Sequence, residues 1–167
     1  GWTALTGFSE TWLRMPSALI GILTVIVFYR GLTRVFDENL SAVAAILMAL
    51  SWPAIYYSQE IRAYSAVLLF TTWAAVVWMG VLKTLKSSTR IGRPDWLNLF
   101  AASVFASLTH PFGFIITGFL WLYLLIVVRD NRALAMRTIF TGLALIAVYL
   151  CWFIPNVFGL AEVISGK

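Results

Sequence analysis

Apolar residues in this chain arrive in long blocks divided by short polar punctuation. "LSAVAAILMALSWPAI" and "SAVLLFTTWAAVVWMGVL" carry no charge, yet "YYSQEIRAY" between them holds a glutamine, a glutamate, an arginine and three tyrosines. Blocks of about 20 apolar residues are what a bilayer-crossing helix needs, because lipid offers the backbone no hydrogen-bond partner. No segment alternates like a barrel strand. The pattern predicts an all-α polytopic transmembrane bundle with spans at 15–29, 40–57, 63–82, 96–108, 112–128 and 138–160. Asp37, Glu38 and Asn39 stand where a helix N-terminus favours capping and anionic side chains. Capping is the role expected for Asn39, although "NLS" also matches a glycosylation sequon. Pro53 is expected to kink the far end of its span, and Pro155 lies near the end of the last one.

The stretch from Trp96 to Val128 is the exception to simple counting. As one helix it would be roughly 50 Å long, well beyond the ~30 Å hydrocarbon core. "LTHPFGF" in its middle supplies turn residues, so a hairpin of two short spans is predicted. Charge tests this independently, since cytoplasmic loops collect Lys and Arg. With the hairpin, one side receives Arg30, Arg34, Lys83, Lys86, Arg90, Arg93, Arg129, Arg132 and Arg137, and the other only Arg14, Arg62 and Lys167. Without it, the basic residues divide evenly. The hairpin therefore puts "YYSQEIRAY", "LTHPFG" and Arg14 together on the non-cytoplasmic side, where Trp2, Trp12, Trp52, Tyr56 and Tyr57 fit an interfacial aromatic belt.

Composition agrees. The chain is 61% hydrophobic and 11% charged, against roughly 25% charged in a soluble domain. The net charge of +5 lies in short loops rather than in one patch, so topology explains it better than nucleic acid does. The lone Cys151 sits in an apolar run and makes no disulfide framework. The chain opens without an initiator Met or a signal-peptide pattern, and the expectation is a single transmembrane domain over residues 1–167 of a longer protein, lacking upstream spans.

Candidate chemistry concentrates in the polar segment. On a helical turn, Glu60 would sit between Tyr56 and Tyr64, each four residues away. Ionisable groups near membrane depth are costly and tend toward function, though Glu60 and Arg62 also suit a helix end as ordinary interfacial charges. Functionally, Arg62 would serve as a fork donor to a lipid phosphate, Gln59 and Glu60 would orient it or take sugar hydroxyls, and Tyr57 and Tyr64 would stack on a sugar or hydrogen-bond it. His110, the sole histidine, fits a hydrogen-bonded turn residue. With a carboxylate it could also hold a divalent metal, for which two ligands are a thin set.

"SETWLRMPSALIGILTV", "YSQEIRAYSAVLLF" and "LTHPFG" together resemble the membrane glycosyltransferases related to protein O-mannosyltransferases and aminoarabinose transferases. The likeness spans about Phe8 to Leu125, with Pro111 and Phe112 where that family has an aromatic pair. The resemblance implies a GT-C type helical enzyme of the cell (inner) membrane, using a polyprenyl-phosphate-linked sugar at the non-cytoplasmic face. It implies that Tyr57, Gln59, Glu60, Arg62 and Tyr64 line the external cavity, with Arg14 and His110 beside them. The family's acidic catalytic residues lie in an external loop ahead of the first matching block; neither Glu10 nor Glu60 matches them, so no catalytic residue is assigned and this piece alone is expected to be inactive. A non-catalytic subunit packed in a larger membrane assembly is the alternative. A transporter fits less well, because its ionisable groups would stand at mid-bilayer rather than at span ends.

Overall fold

The structure is a computed structural model that describes residues 10–60, 63–87 and 91–165, with side chains from 11 to 157. Among the described residues all regular structure is helical. Helix α1 is Glu10–Leu32, α2 Glu38–Ala49, α3 Trp52–Gln59, α4 Tyr64–Ser87, α5 Arg93–Thr109, α6 Pro111–Val128 and α7 Arg132–Ser165. Four of these, α1, α4, α6 and α7, are each long and apolar enough to cross a membrane, and the pair α2 and α3 makes a fifth if taken as one bent span. The remaining predicted span, 96–108, corresponds to α5, whose 17 residues reach only about 25 Å. It packs against α4, α6 and α7.

The boundaries follow local chemistry. Asp37, not Asn39, caps α2, its carboxylate accepting from the Leu40 N–H at 3.0 Å. The expected kink at Pro53 is a full break: α2 ends at Ala49, α3 begins at Trp52, and the two are bent by 54°. Proline's ring clashes with the carbonyl four residues back, here that of Ala49, and it has no N–H to offer. Pro155 lies inside α7, which runs through it.

The predicted hairpin at His110 is present. His110 is extended (φ −162°, ψ 147°) and closes α5 while opening α6, with its Nδ1 accepting from the Phe112 N–H at 3.2 Å. The two helices then run antiparallel: Gly113 lies against Ala106, Thr117 meets Ser107 at 3.2 Å, and Trp121 Nε1 donates to Ser103 Oγ at 2.9 Å. A methyl on Gly113 would stand inside the van der Waals shell of the Ala106 carbonyl, so only glycine permits this approach.

The exterior is apolar as well as the interior, unlike that of a water-soluble domain. Ser103, Ser107 and Thr117 are fully buried, each donating to a carbonyl of its own helix, while Phe119 on the outer face of α6 is 67% exposed. Lipid solvates the apolar face, and close contact falls to small and hydroxylic residues. A compact apolar cluster of Val81, Trp96, Leu99, Trp121, Leu124 and Leu145 joins α4 to α7. The Arg137 guanidinium lies 4.6 Å from the Trp96 ring centre in this region.

Helix directions define two ends. Gly31 of α1 abuts Val76 of α4, and Lys83 of α4 reaches the carbonyls of Arg34 and Val35, so α1 and α4 are parallel. Helix α5 returns beside α4, with Phe70 and Phe105 stacked at 5.2 Å. Consequently Arg30, Arg34, Lys83, Arg93 and Arg129 gather at one end, and the "YYSQE" and "THPF" segments at the other.

Candidate functional site at the tyrosine end of the bundle

The break between α3 and α4 builds this end. Helix α3 stops at Gln59, and Glu60 is extended (φ −80°, ψ 137°). The helical turn expected through Glu60 therefore does not form, and the i, i+4 relation of Glu60 with Tyr56 and Tyr64 is lost. Tyr57 takes the position against Tyr64 instead, with ring centres 5.3 Å apart. The aromatic row extends in both directions: Trp52 stacks on Tyr56 at 4.8 Å, Tyr56 meets Tyr57 edge-on at 5.5 Å, Tyr64 lies 5.9 Å from His110, and His110 stacks on Phe112 at 5.1 Å. Four helix ends thus contribute to one ladder of rings.

Glu60 is half-buried and held through its backbone. The buried Ser17 of α1 donates to the Glu60 carbonyl at 2.6 Å. One turn further along, Gly21 lies so close to Ser58 that an added methyl would stand 2.8 Å from its Cβ. This small residue pair, four apart on α1, seats α3 and fixes where the chain leaves it. Gln59 is exposed, and Arg14 is exposed one turn before Ser17 at the same end. Arg62 lies outside the described residues.

His110 presents a defined edge. Because Nδ1 accepts from the Phe112 N–H, a neutral imidazole carries its proton on Nε2. It offers a hydrogen-bond donor there rather than a metal-ligating lone pair, and among the described residues no three His, Cys, Asp or Glu side chains come together as a metal site. Among the described residues, His110 with one carboxylate is too thin a donor set for a divalent cation.

The structure brings together Tyr57, Tyr64 and His110, keeps the Glu60 backbone nearby, and leaves Gln59 and Arg14 at the rim. Sequence reasoning missed Ser17, Gly21 and Phe112. The signal for the first two was the spacing of small residues on α1, which a search for strict GxxxG passes over.

Apolar outward faces, hydroxyl-lined helix contacts and several bilayer-length helices define an integral membrane protein of the helical bundle class. The chain belongs to the dolichyl-phosphate-mannose-protein mannosyltransferase family, a family of membrane glycosyltransferases, whose model matches residues 1–158. Neither the curated proteins nor the solved structures yield a match to it.

Proposed function

We propose that this chain forms part of the donor-binding wall of a membrane glycosyltransferase, acting on a polyprenyl-phosphate-linked sugar at the non-cytoplasmic face of the cell (inner) membrane. The observation that carries the reading is the ring ladder Tyr57, Tyr64, His110 and Phe112 at one end of the bundle, with basic residues concentrated at the other. The family description, which names a lipid-phosphate-linked mannose as donor, supports the substrate class, and the bias of Lys and Arg supports the side.

In such a transfer an acceptor oxygen attacks the anomeric carbon, the bond from that carbon to the phosphate oxygen breaks, and the phosphate leaves with the electron pair while the acceptor proton passes to a base. The residues at this end suit binding rather than that proton transfer. Tyr57 and Tyr64 present ring faces to the C–H face of a sugar, His110 Nε2–H suits a sugar hydroxyl or phosphate oxygen, and Arg62 is the nearest guanidinium in sequence for the phosphate. None of these is assigned as the base.

The test is sugar transfer by the full-length protein, with membrane insertion measured in parallel. Tyr64→Ala is expected to reduce transfer about five- to tenfold, from loss of ring contacts worth about 0.5–1.5 kcal/mol each. Tyr64→Phe is expected to stay close to wild type, and Arg62→Ala to lose transfer with insertion intact. Normal transfer by both Tyr64→Ala and Arg62→Ala would exclude this end from the donor site.

A further inference from the structure

At the opposite end, α1, α4 and α5 enclose a cleft of about 650 Å³. Its inner wall is apolar, formed by Leu23, Ile26 and Val27 of α1 and by Leu69, Phe70 and Val76 of α4. Its floor is fixed by Trp73, whose Nε1 donates to Asn98 Oδ1 at 3.0 Å. Its mouth carries Arg30, Arg34 and Lys83, with Asp95 as the one acidic residue among the described lining side chains. We propose that this cleft binds one anionic glycerophospholipid from the leaflet on the Arg30 side, its phosphate at the two arginines and an acyl chain along α4. The site is separate from the tyrosine end and does not depend on what binds there.

Charge and dimensions select this occupant. Lys83 is already used, its ammonium donating to the carbonyls of Arg34 at 3.1 Å and Val35 at 2.9 Å in the turn that follows α1. That tie sets the width of the mouth. Arg30 and Arg34 are exposed, and neither has an ion pair with a described residue. Two guanidiniums beside a membrane interface make a phosphate site, since the planar fork matches phosphate oxygens.

Along α4 the cleft is lined from Leu69 to Ser87, about 27 Å at 1.5 Å per residue, long enough for one leaflet with its head groups, half of ~40–45 Å. A volume of about 650 Å³ along that length has room for a hydrocarbon chain. A soluble anion would use the mouth and leave the apolar wall bare.

Gly80 supplies an internal control. It lines the cleft, and a Cβ added there meets nothing within 4 Å. Gly80→Leu therefore fills the passage without touching a charge, and it raises helix propensity rather than lowering it.

The test uses the full-length protein in nanodiscs of phosphatidylcholine containing a minor fraction of phosphatidylglycerol, with retained lipid counted by native mass spectrometry after release. One phosphatidylglycerol is expected to be retained in preference to phosphatidylcholine. Arg30→Ala and Arg34→Ala should each weaken that preference about fivefold, from about 1 kcal/mol per interfacial cation. Gly80→Leu should abolish retention with both arginines present. Equal retention of the two lipids, or phosphatidylglycerol retention unchanged in Gly80→Leu, overturns the proposal. The second result would mean adsorption to the basic surface or a protein segment over the cleft. Because sugar transfer is not read, failure here is distinguishable from failure at the tyrosine end.

Discussion

Single atoms decide several contacts in this bundle. Gly113 is the clearest case, since the Ala106 carbonyl occupies the space any side chain would need. Gly113→Ala is expected to push α5 and α6 apart and cost about 1–3 kcal/mol, visible as a lower thermal midpoint in detergent. Gly118→Ala on the same helix, where an added Cβ meets nothing within 4 Å, should be neutral or slightly stabilising. Ser17 poses a subtler question. Its hydroxyl meets the Glu60 carbonyl rather than the carboxylate, so it acts on the path of the chain and not on the charge. Ser17→Ala should cost about 1 kcal/mol and impair transfer more than that loss of stability explains, because the Tyr57 and Tyr64 rings depend on where the chain turns. Measuring transfer and thermal midpoint on the same preparation separates the two effects. None of these roles was legible in residue type, since a serine and two glycines carry little hydropathy signal. The aromatic residues of the ladder were legible as belt residues, but their pairing was not.

Breaks matter more than lengths among the elements. The α2 to α3 break and the His110 hairpin both occur at proline, where the lost N–H and the ring clash act on the preceding residues. Pro53→Ala is expected to let α2 run on toward Gln59. Spin labels placed by Asn39→Cys and Gln59→Cys, in a Cys151→Ser background, should then move apart by several Å relative to the wild-type bend. The hairpin makes its own prediction: Ser107→Cys together with Thr117→Cys should cross-link, since their hydroxyls lie 3.2 Å apart across the α5 and α6 contact, whereas one continuous rod would hold them about 15 Å apart. Sequence placed both breaks within a few residues because proline acts locally. It misjudged the region around Glu60, where no proline stands and helical spacing was extended through a segment that the fold turns aside. Once α3 packs on α1 through Gly21 and Ser58, continuing that helix would carry α4 away from α1.

For the whole molecule, two ends of opposite character follow from helix order. The tyrosine end gathers rings and hydrogen-bonding groups, and the other gathers cations around a cleft that reaches into the apolar interior. Labelling of intact cells with a membrane-impermeant thiol reagent is expected to modify Gln59→Cys and Phe112→Cys, and to modify Lys86→Cys only after permeabilisation, all in the Cys151→Ser background. The same pattern is required for a donor site on the outside and an anionic lipid site on the inside. Labelling of positions 59 and 86 from one side would contradict the helix directions themselves.

Sequence alone determined the solvent, the helical class and the grouping of charge. Each rests on a local balance: a backbone in lipid must close its hydrogen bonds within its own segment, and a cation resists crossing, so composition and spacing suffice to read them. Tertiary structure alone decided which ring meets which, that Glu60 leaves the helix, and that Arg30, Arg34 and Lys83 frame a cleft instead of a plain basic rim. Helices in lipid gain little from burying apolar surface against one another, so their contacts are chosen by close fit of small residues and by hydroxyl and indole hydrogen bonds. That fit depends on which faces happen to meet across the bundle, information held by no single segment of the chain.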